Sequence, residues 1–157
     1  MKRFLFSLCF AGIAALFLTS CNDNRVFDSY KSIPASGWKK DSPVVFSFDI
    51  ASTSQQHNLY LNVRYRIAYK YSNLWLFVEI TAPDGTVKDD IIEITLADAT
   101  GKWLGEGFGG LKTMVNIFRK GETFDKTGVY TVKIQQSMSE DNLKGINDIG
   151  FMVEKAE

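Results

Sequence analysis

Cysteine, histidine and proline are scarce in this chain of 157 residues, which has two, one and three of them respectively. The single histidine, His57, cannot build a zinc site without cysteine partners, and no H-E-x-x-H spacing is present. The sequence also lacks a Walker A loop, a G-x-S-x-G elbow and an EF-hand loop. We therefore expect no cofactor and no metal, and we expect His57 to be an ordinary surface residue.

The sequence has no excess of charge of either sign, because 18 basic residues balance 18 acidic ones. If residues 1–20 are removed, Lys2 and Arg3 are lost without any acid and the net charge becomes −2. A nearly neutral chain gives no reason to expect a nucleic-acid partner or a polybasic contact with a membrane. Its 13% aromatic residues favour one packed domain over a disordered chain.

The start of the chain is a positive pair followed by an apolar run over residues 4–18. This run is long enough for a secretory signal and too short for a transmembrane helix. It ends in Leu18, Thr19, Ser20 and Cys21, which resembles the bacterial lipobox. The resemblance implies a lipoprotein signal peptide at 1–20 and a lipid-modified Cys21, with 21–24 as the tether and 25–157 as the folded domain.

Lipid attachment at Cys21 would anchor the chain in a bilayer. One acyl chain binds a membrane only marginally, at ~0.8 kcal/mol per buried CH₂, whereas the several chains of a lipoprotein, typically a diacylglycerol and a palmitate-like group, hold it stably. Cys9 lies in the segment that would be discarded. The mature chain would then have no free thiol for disulfides, zinc or nucleophilic catalysis.

The rest of the chain alternates apolar and polar residues in short runs, which predicts β-strands. The inward sets are Phe46, Phe48 and Ile50; Leu59, Leu61, Val63, Tyr65 and Ile67; Leu74, Leu76, Val78 and Ile80; Ile92, Ile94 and Leu96; Tyr130, Val132 and Ile134; and Ile149, Phe151 and Val153. Strands with one apolar face must bury it against a second sheet. We predict an all-β fold, an antiparallel β-sandwich of about eight short strands, jelly-roll or Ig-like, with a helical turn only at 139–145.

Several carboxylates could in principle serve a glycoside hydrolase, namely Asp89, Asp90, Glu93, Asp98 and Glu106. Such a pair must face one cleft at a defined separation. Asp89 and Asp90 are adjacent in an expected strand, so their side chains point to opposite faces. We interpret these groups as solvated charge at strand edges and expect no enzymatic activity. A calcium site at Asp98 or Asp148 has no loop signature.

The segment LADATGKWLGEGFGG, residues 96–110, has five glycines, too many for a regular strand, yet its large apolar residues Trp103, Leu104 and Phe108 need burial or a binding partner. One interpretation is a bulged crossover whose aromatic residues plug an end of the sandwich. The other is a recognition loop with adaptable anchors. Either way the candidate residues for partner binding or loop structure are Asp98, Gly101, Trp103, Leu104, Gly105 and Phe108. We expect Trp103 to turn inward, and Lys102 and Glu106 to lie in solvent.

The lipobox-like residues and several later segments, in order over nearly the whole mature chain, resemble the GldH lipoprotein family of Bacteroidetes gliding motility. The most specific part is L-A-D-x-x-G-x-W-L-G in residues 96–105, and the second is G-I-x-D-I/V-G in residues 145–150. The resemblance implies a lipoprotein of the outer envelope, linked to gliding and type IX secretion, and supplies no catalytic residues. Residues 22–25, NDNR, lack an acidic cluster like a Bacteroidetes surface-export signal, so we expect the domain to face the periplasm.

Two functions follow from the sequence. The first is a non-enzymatic, lipid-anchored component of the cell envelope that binds other envelope proteins. The alternative is carbohydrate binding, because Tyr60, Trp75 and Phe77 fall on the outward side of their strands. An exposed, coplanar pair at Trp75 and Phe77 would favour sugar stacking, and a covered pair would favour a sheet packed on both faces.

Overall fold

The structure, a computed structural model, describes residues 24–156. Cys9, Cys21 and the expected signal peptide lie outside the described residues. The described part contains ten strands: β1 (Arg25–Ser32), β2 (Trp38–Lys39), β3 (Val44–Ile50), β4 (Gln56–Arg66), β5 (Asn73–Thr81), β6 (Val87–Thr95), β7 (Leu111–Thr123), β8 (Gly128–Gln136), β9 (Asn142–Leu143) and β10 (Ile146–Lys155). Among these residues no helix is long and apolar enough to cross a membrane.

Eight of the strands form two antiparallel four-stranded sheets. One sheet has the order β1-β10-β4-β7 and the other β3-β8-β5-β6. The pairs β1 with β10, β3 with β8, β4 with β7 and β5 with β6 are therefore nested, as in a jelly roll. The all-β sandwich prediction is confirmed. β2 and β9 make a separate two-residue pairing.

The core lies between the two sheets and consists of the alternating residues that the sequence singles out. β3 alternates buried and exposed residues along its whole length, and Phe46, Phe48 and Ile50 are its inward set. Phe151 in β10 packs against a group of aromatic rings at centroid distances of 5.4–6.4 Å, namely Phe27, Phe46, Phe48 and Phe118. The inter-sheet core is thus rich in aromatic contacts.

Three local expectations are wrong. Residues 139–145 form no helical turn but contain β9, whose Leu143 is buried opposite Trp38. His57 is not a surface residue: it lies in β4 with 4% exposure, against Phe124 at a centroid distance of 5.5 Å. Burial lowers the pKa of His57. Ile67, expected inward, lies beyond β4 and is 49% exposed.

Candidate functional site

The glycine-rich segment 96–110 crosses from one sheet to the other. It leaves β6 in the second sheet and enters β7 in the first. Two isolated bridges divide it: Ala97 pairs with Trp103, and Glu106 pairs with Thr113. The first bridge closes a turn around Asp98, and the second fixes a hairpin tip at residues 107–110. The segment, called here the crossing loop, therefore has a defined path.

Asp98 organises the first turn of the crossing loop. Its Oδ1 accepts hydrogen bonds from Thr100 N at 2.8 Å, Thr100 Oγ1 at 2.7 Å and Lys102 N at 3.0 Å. These donors hold the pKa of Asp98 below its ordinary value. Gly101 has a φ of 84°, in the left-handed region that favours glycine. Asp98 and Gly101 thus act together as a turn.

The buried Tyr65 of β4 ties the crossing loop to the sandwich. Its hydroxyl donates to Leu96 O at 3.1 Å and accepts from Gly105 N at 3.0 Å. Burial raises the pKa of this hydroxyl. The Trp103 ring is partly buried and packs on the Tyr65 ring at a centroid distance of 5.3 Å. Tyr65 is therefore the structural centre of this site.

Gly105 is needed because the backbone passes very close to its neighbours. A Cβ at this position would lie 2.7 Å from the Tyr65 hydroxyl and 2.9 Å from Thr113 O. We expect Gly105→Ala to lower the free energy of unfolding by about 1–3 kcal/mol, the usual cost of overpacking. Gly110→Ala is the control, because a Cβ at Gly110 would lie 3.9 Å from Ile67 Cγ1, an ordinary contact distance. Thermal melts of both variants measure this, and equal melts would contradict the close-approach argument.

The tip of the crossing loop presents apolar side chains to solvent. Phe108 is fully exposed, between Gly107 and Gly109, which have φ values of 136° and 63°. Lys112 Nζ donates to Gly107 O at 3.0 Å, and Ile67 N donates to Gly110 O at 2.9 Å. Near Phe108 in the chain, Leu104 is 47% exposed. The tip is thus held by hydrogen bonds while its aromatic ring has no cover.

The second sequence motif, residues 145–150, begins in the turn before β10 and continues into that strand. Gly145 has a φ of 92° and packs against Tyr69. Gly150 lies under the ring of Tyr30, where a Cβ would come within 2.7 Å of that ring. The Arg64 guanidinium covers the same ring at 4.3 Å from its centroid. Gly150 therefore allows an aromatic ring to lie flat across the outer face of the sheet.

The site residues expected from the sequence do not all face one place. Trp103 and Gly105 contact Tyr65, whereas Asp98 and Gly101 form a separate turn, and Leu104 and Phe108 point to solvent. Lys102 and Glu106 are exposed, as expected. Tyr65 was missed as a site residue, although its place in the inward set of β4 already marked it as buried.

The carboxylates are dispersed in the structure. Asp90 faces the edge of the sandwich, where it forms an ion pair with Arg119, and Asp89 is exposed. No cluster of three or more histidine, cysteine, aspartate or glutamate residues suitable for a metal occurs within residues 24–156. Beside the Asp90–Arg119 pair lies a cavity of about 70 Å³, walled in part by Ile80, Ala82, Phe124 and Tyr130. This cavity is well below the size of a typical metabolite site.

These features define a small antiparallel jelly-roll domain whose distinctive elements are a structured crossing loop and a glycine under an outer-face aromatic ring. The model of the GldH lipoprotein family matches residues 25–153. The chain belongs to the GldH lipoprotein family. It is 36% identical to the gliding motility lipoprotein GldH homolog of Christiangramia forsetii, over 99% of both chains. It is also 36% identical to the gliding motility lipoprotein GldH of Flavobacterium johnsoniae, over 92% of this chain and 94% of that one.

Solved structures overlap with the chain only loosely. A 4-O-methyl-α-glucuronidase of family GH115 matches with a TM-score of 0.45 and 10% identity, covering 87% of this chain and 18% of that one. The VP2 subviral particle of infectious bursal disease virus matches with a TM-score of 0.37 and 14% identity, covering 87% of this chain and 34% of that one. The chain therefore spans a small part of each.

Proposed function

We propose that this chain is a non-enzymatic component of the cell envelope, anchored by lipid on Cys21 in the outer membrane and facing the periplasm. In this role it binds other proteins of the gliding-motility and type IX secretion-associated machinery. Membership of the GldH lipoprotein family is the observation that carries the proposal. The lipobox-like residues 18–21 supply the attachment point.

The position of the first described residues supports this arrangement. Asn24 lies at the end of the sandwich that also contains Gln56 and Lys155, and its carbonyl accepts a hydrogen bond from Lys155 N at 2.8 Å. A tether from Cys21 to Asn24 reaches only about 10 Å when extended. This end of the sandwich, called here the anchor end, therefore stays close to the bilayer in which the lipid is inserted.

The crossing loop lies at the other end of the sandwich. β4 begins at Gln56 in the anchor end and finishes at Arg66, which pairs with Leu111 beside the tip. A strand of 11 residues spans about 35 Å. With the sandwich upright, Phe108 and Leu104 are presented far from the membrane, where other envelope proteins can reach them. Exposed aromatic anchors of this kind are typical of protein interfaces.

Carbohydrate binding is the less supported alternative. Trp75 is 37% exposed, but Phe77 beside it on the outer face is only partly exposed, with Ile91 paired across the strand. Sugar stacking needs an open aromatic surface, and this face offers one exposed ring. The protein-binding role is therefore preferred. We expect the Trp fluorescence of the domain to stay unchanged when glycans are added.

Replacing the attachment residue tests the proposed anchoring. Cys21→Ala should move the protein from the membrane fraction to the soluble periplasmic fraction, because the thiol that would carry the lipid is gone. The control is Ser20→Ala, which keeps a small residue before the cysteine and should stay in the membrane. Retention of Cys21→Ala in the membrane would reject lipid anchoring.

Orientation is tested separately by adding protease to intact cells. A periplasm-facing domain should stay intact until the outer membrane is opened, and it should then be degraded. Degradation in intact cells would mean that the domain is displayed on the cell surface. Fractionation of inner and outer membranes on the same samples reports which membrane holds the protein.

A further inference from the structure

β7 is an edge strand of its sheet, and the backbone groups along its outer edge are almost all unpaired within the described residues. On one side it pairs with β4 along its length. On the other side, within the described residues, its only backbone bridge is with Glu106. In that bridge, Glu106 N donates to Thr113 O at 2.9 Å and Thr113 N donates to Glu106 O at 2.7 Å. Thr113 therefore directs both of its backbone groups to the outer edge.

Two further residues of β7 direct their backbone groups to the same outer edge as Thr113. Backbone groups point to alternate sides along a strand, so Val115 and Ile117 direct their N–H and C=O groups to the same edge as Thr113. The register with β4 is regular from Leu111 to Ile117 and shifts only beyond it. Val115 is 54% exposed and Ile117 is 43% exposed. The edge thus combines unpaired backbone groups with exposed apolar side chains.

The crossing loop begins to cover this edge and then leaves it. The residue that would continue the pairing opposite Val115 is Leu104, but Leu104 N donates instead to Leu96 O at 2.9 Å. Nearer the anchor end, charged side chains disfavour the addition of another strand to this edge. Arg119 forms an ion pair with Asp90 of β6, and Lys88 of β6 lies 3.6 Å from Glu122. Only the stretch from Met114 to Phe118 is left without such protection, which natural edge strands normally have.

We propose that this open edge of β7 binds an extended segment of another envelope protein, which adds as one more strand. Unpaired N–H and C=O groups at the spacing of a strand are complementary to another strand backbone, and the exposed side chains select apolar residues at alternate positions. The incoming segment would lie beside Leu104, at the point where the crossing loop leaves the edge. The site is short, so it suits a single peptide segment.

Two other occupants fit less well. Antiparallel pairing of β7 with β7 of a second copy would point the two anchor ends in opposite directions, which short tethers to one membrane forbid. This argument rests on the lipid anchoring proposed above. Hydrocarbon is also a poor partner, because it would leave the edge N–H and C=O groups without hydrogen bonds. The backbone groups therefore favour a peptide strand over either alternative.

Photocrosslinking with the full-length protein in native cells tests the proposal. p-Benzoylphenylalanine is placed at position 117, and at position 87 of β6 as the control, because Val87 is similarly exposed at 52%. We expect a protein adduct from position 117 that maps to one extended segment with alternating apolar residues. No such adduct is expected from position 87.

Substitutions at Val115 test whether the adduct depends on the backbone groups at the edge of β7. Val115→Pro removes the edge N–H but leaves the N–H groups of Met114 and Asn116 for β4, so the adduct should fall about tenfold. Val115→Thr keeps the N–H and the branched shape, and its adduct should be unchanged. Val115→Lys, a charge that natural edges use for protection, gives a second blocking variant if the proline variant melts early.

The outcomes separate this proposal from the anchoring. The edge site would be overturned by an adduct with a second copy or with phospholipid, or by the lack of a protein adduct. It would also be overturned if both blocking variants gave as much adduct as the protein without a change at Val115. The membrane fraction of the same cells reports anchoring independently. A soluble wild-type protein that still gave the mapped adduct would reject the lipid anchor and keep the edge site.

Discussion

Replacing Phe46 by alanine is expected to lower the free energy of unfolding by about 3–5 kcal/mol, the range for a buried phenylalanine. Phe46 is 3% exposed and lies between Phe27 and Phe151, with ring centroids 6.1 and 6.2 Å away. The change removes its packing and leaves a cavity between the sheets. Denaturant unfolding of the purified protein, followed by circular dichroism, measures the loss.

The adjacent Val45 is the matched control. It lies on the same strand but on the outer face, with 36% exposure, so Val45→Ala should cost less than about 1 kcal/mol. The same contrast is expected between Leu61, which is fully buried, and Tyr60, which faces outward. Leu76 and Ile94 should behave like Leu61. Similar losses at Phe46 and Val45 would mean that the faces of the sheet are assigned wrongly.

Replacing Trp103 by alanine is expected to cost about 2–4 kcal/mol. This is below the usual range for a fully buried tryptophan, because the Trp103 ring is only partly buried. The ring contacts Tyr65, whose hydroxyl holds both Leu96 and Gly105, so its loss also loosens the crossing loop. A thermal melt of the variant, compared with Lys102→Ala as an exposed control in the same loop, measures the effect.

The same variant separates structure from recognition in the crossing loop. If Trp103 fixes the loop to the sandwich, its loss should lower stability and weaken partner binding together. Phe108→Ala should instead leave the melt unchanged, because Phe108 is fully exposed. An unchanged melt of Trp103→Ala together with loss of the partner would show that Trp103 itself is the recognition residue.

The strands could be predicted from the sequence because each has one apolar face. In β5 and β8 every inward residue of the alternating pattern is buried. The order of strands could not be predicted, since alternation is a local property and says nothing about which strand pairs with which. The jelly-roll order depends on contacts such as that between Ser32 and Asp148, which are 116 residues apart.

The local errors have a common physical origin. Residues 139–145 contain polar residues and a terminal glycine, which resemble helix signals, but Trp38 offers Leu143 a partner from a distant part of the chain. His57 lies among polar neighbours in the sequence, yet β4 begins one residue earlier and Phe124 covers its ring. In both cases tertiary packing decides a position that local composition describes poorly.

The sequence indicated which part of the candidate site is closely packed, but it did not indicate the residue of β4 that this part packs against. A loop with five glycines and a tryptophan indicates close packing at Trp103 and Gly105. The partner of both is Tyr65, which is 40 residues before Gly105 and has the same inward pattern as its neighbours in β4. Nothing in the sequence shows that its hydroxyl bonds to two segments of the loop.

The pairing of the first strand with the last also affects how the chain folds. Within residues 24–156, β10 is the only strand that pairs with β1, so this sheet is incomplete until β10 is available. Folding must therefore wait for contacts of very long sequence separation, which are slow to form. A chain that emerges gradually from its N-terminus cannot close this sheet until β10 is available, so its apolar strands stay exposed for longer.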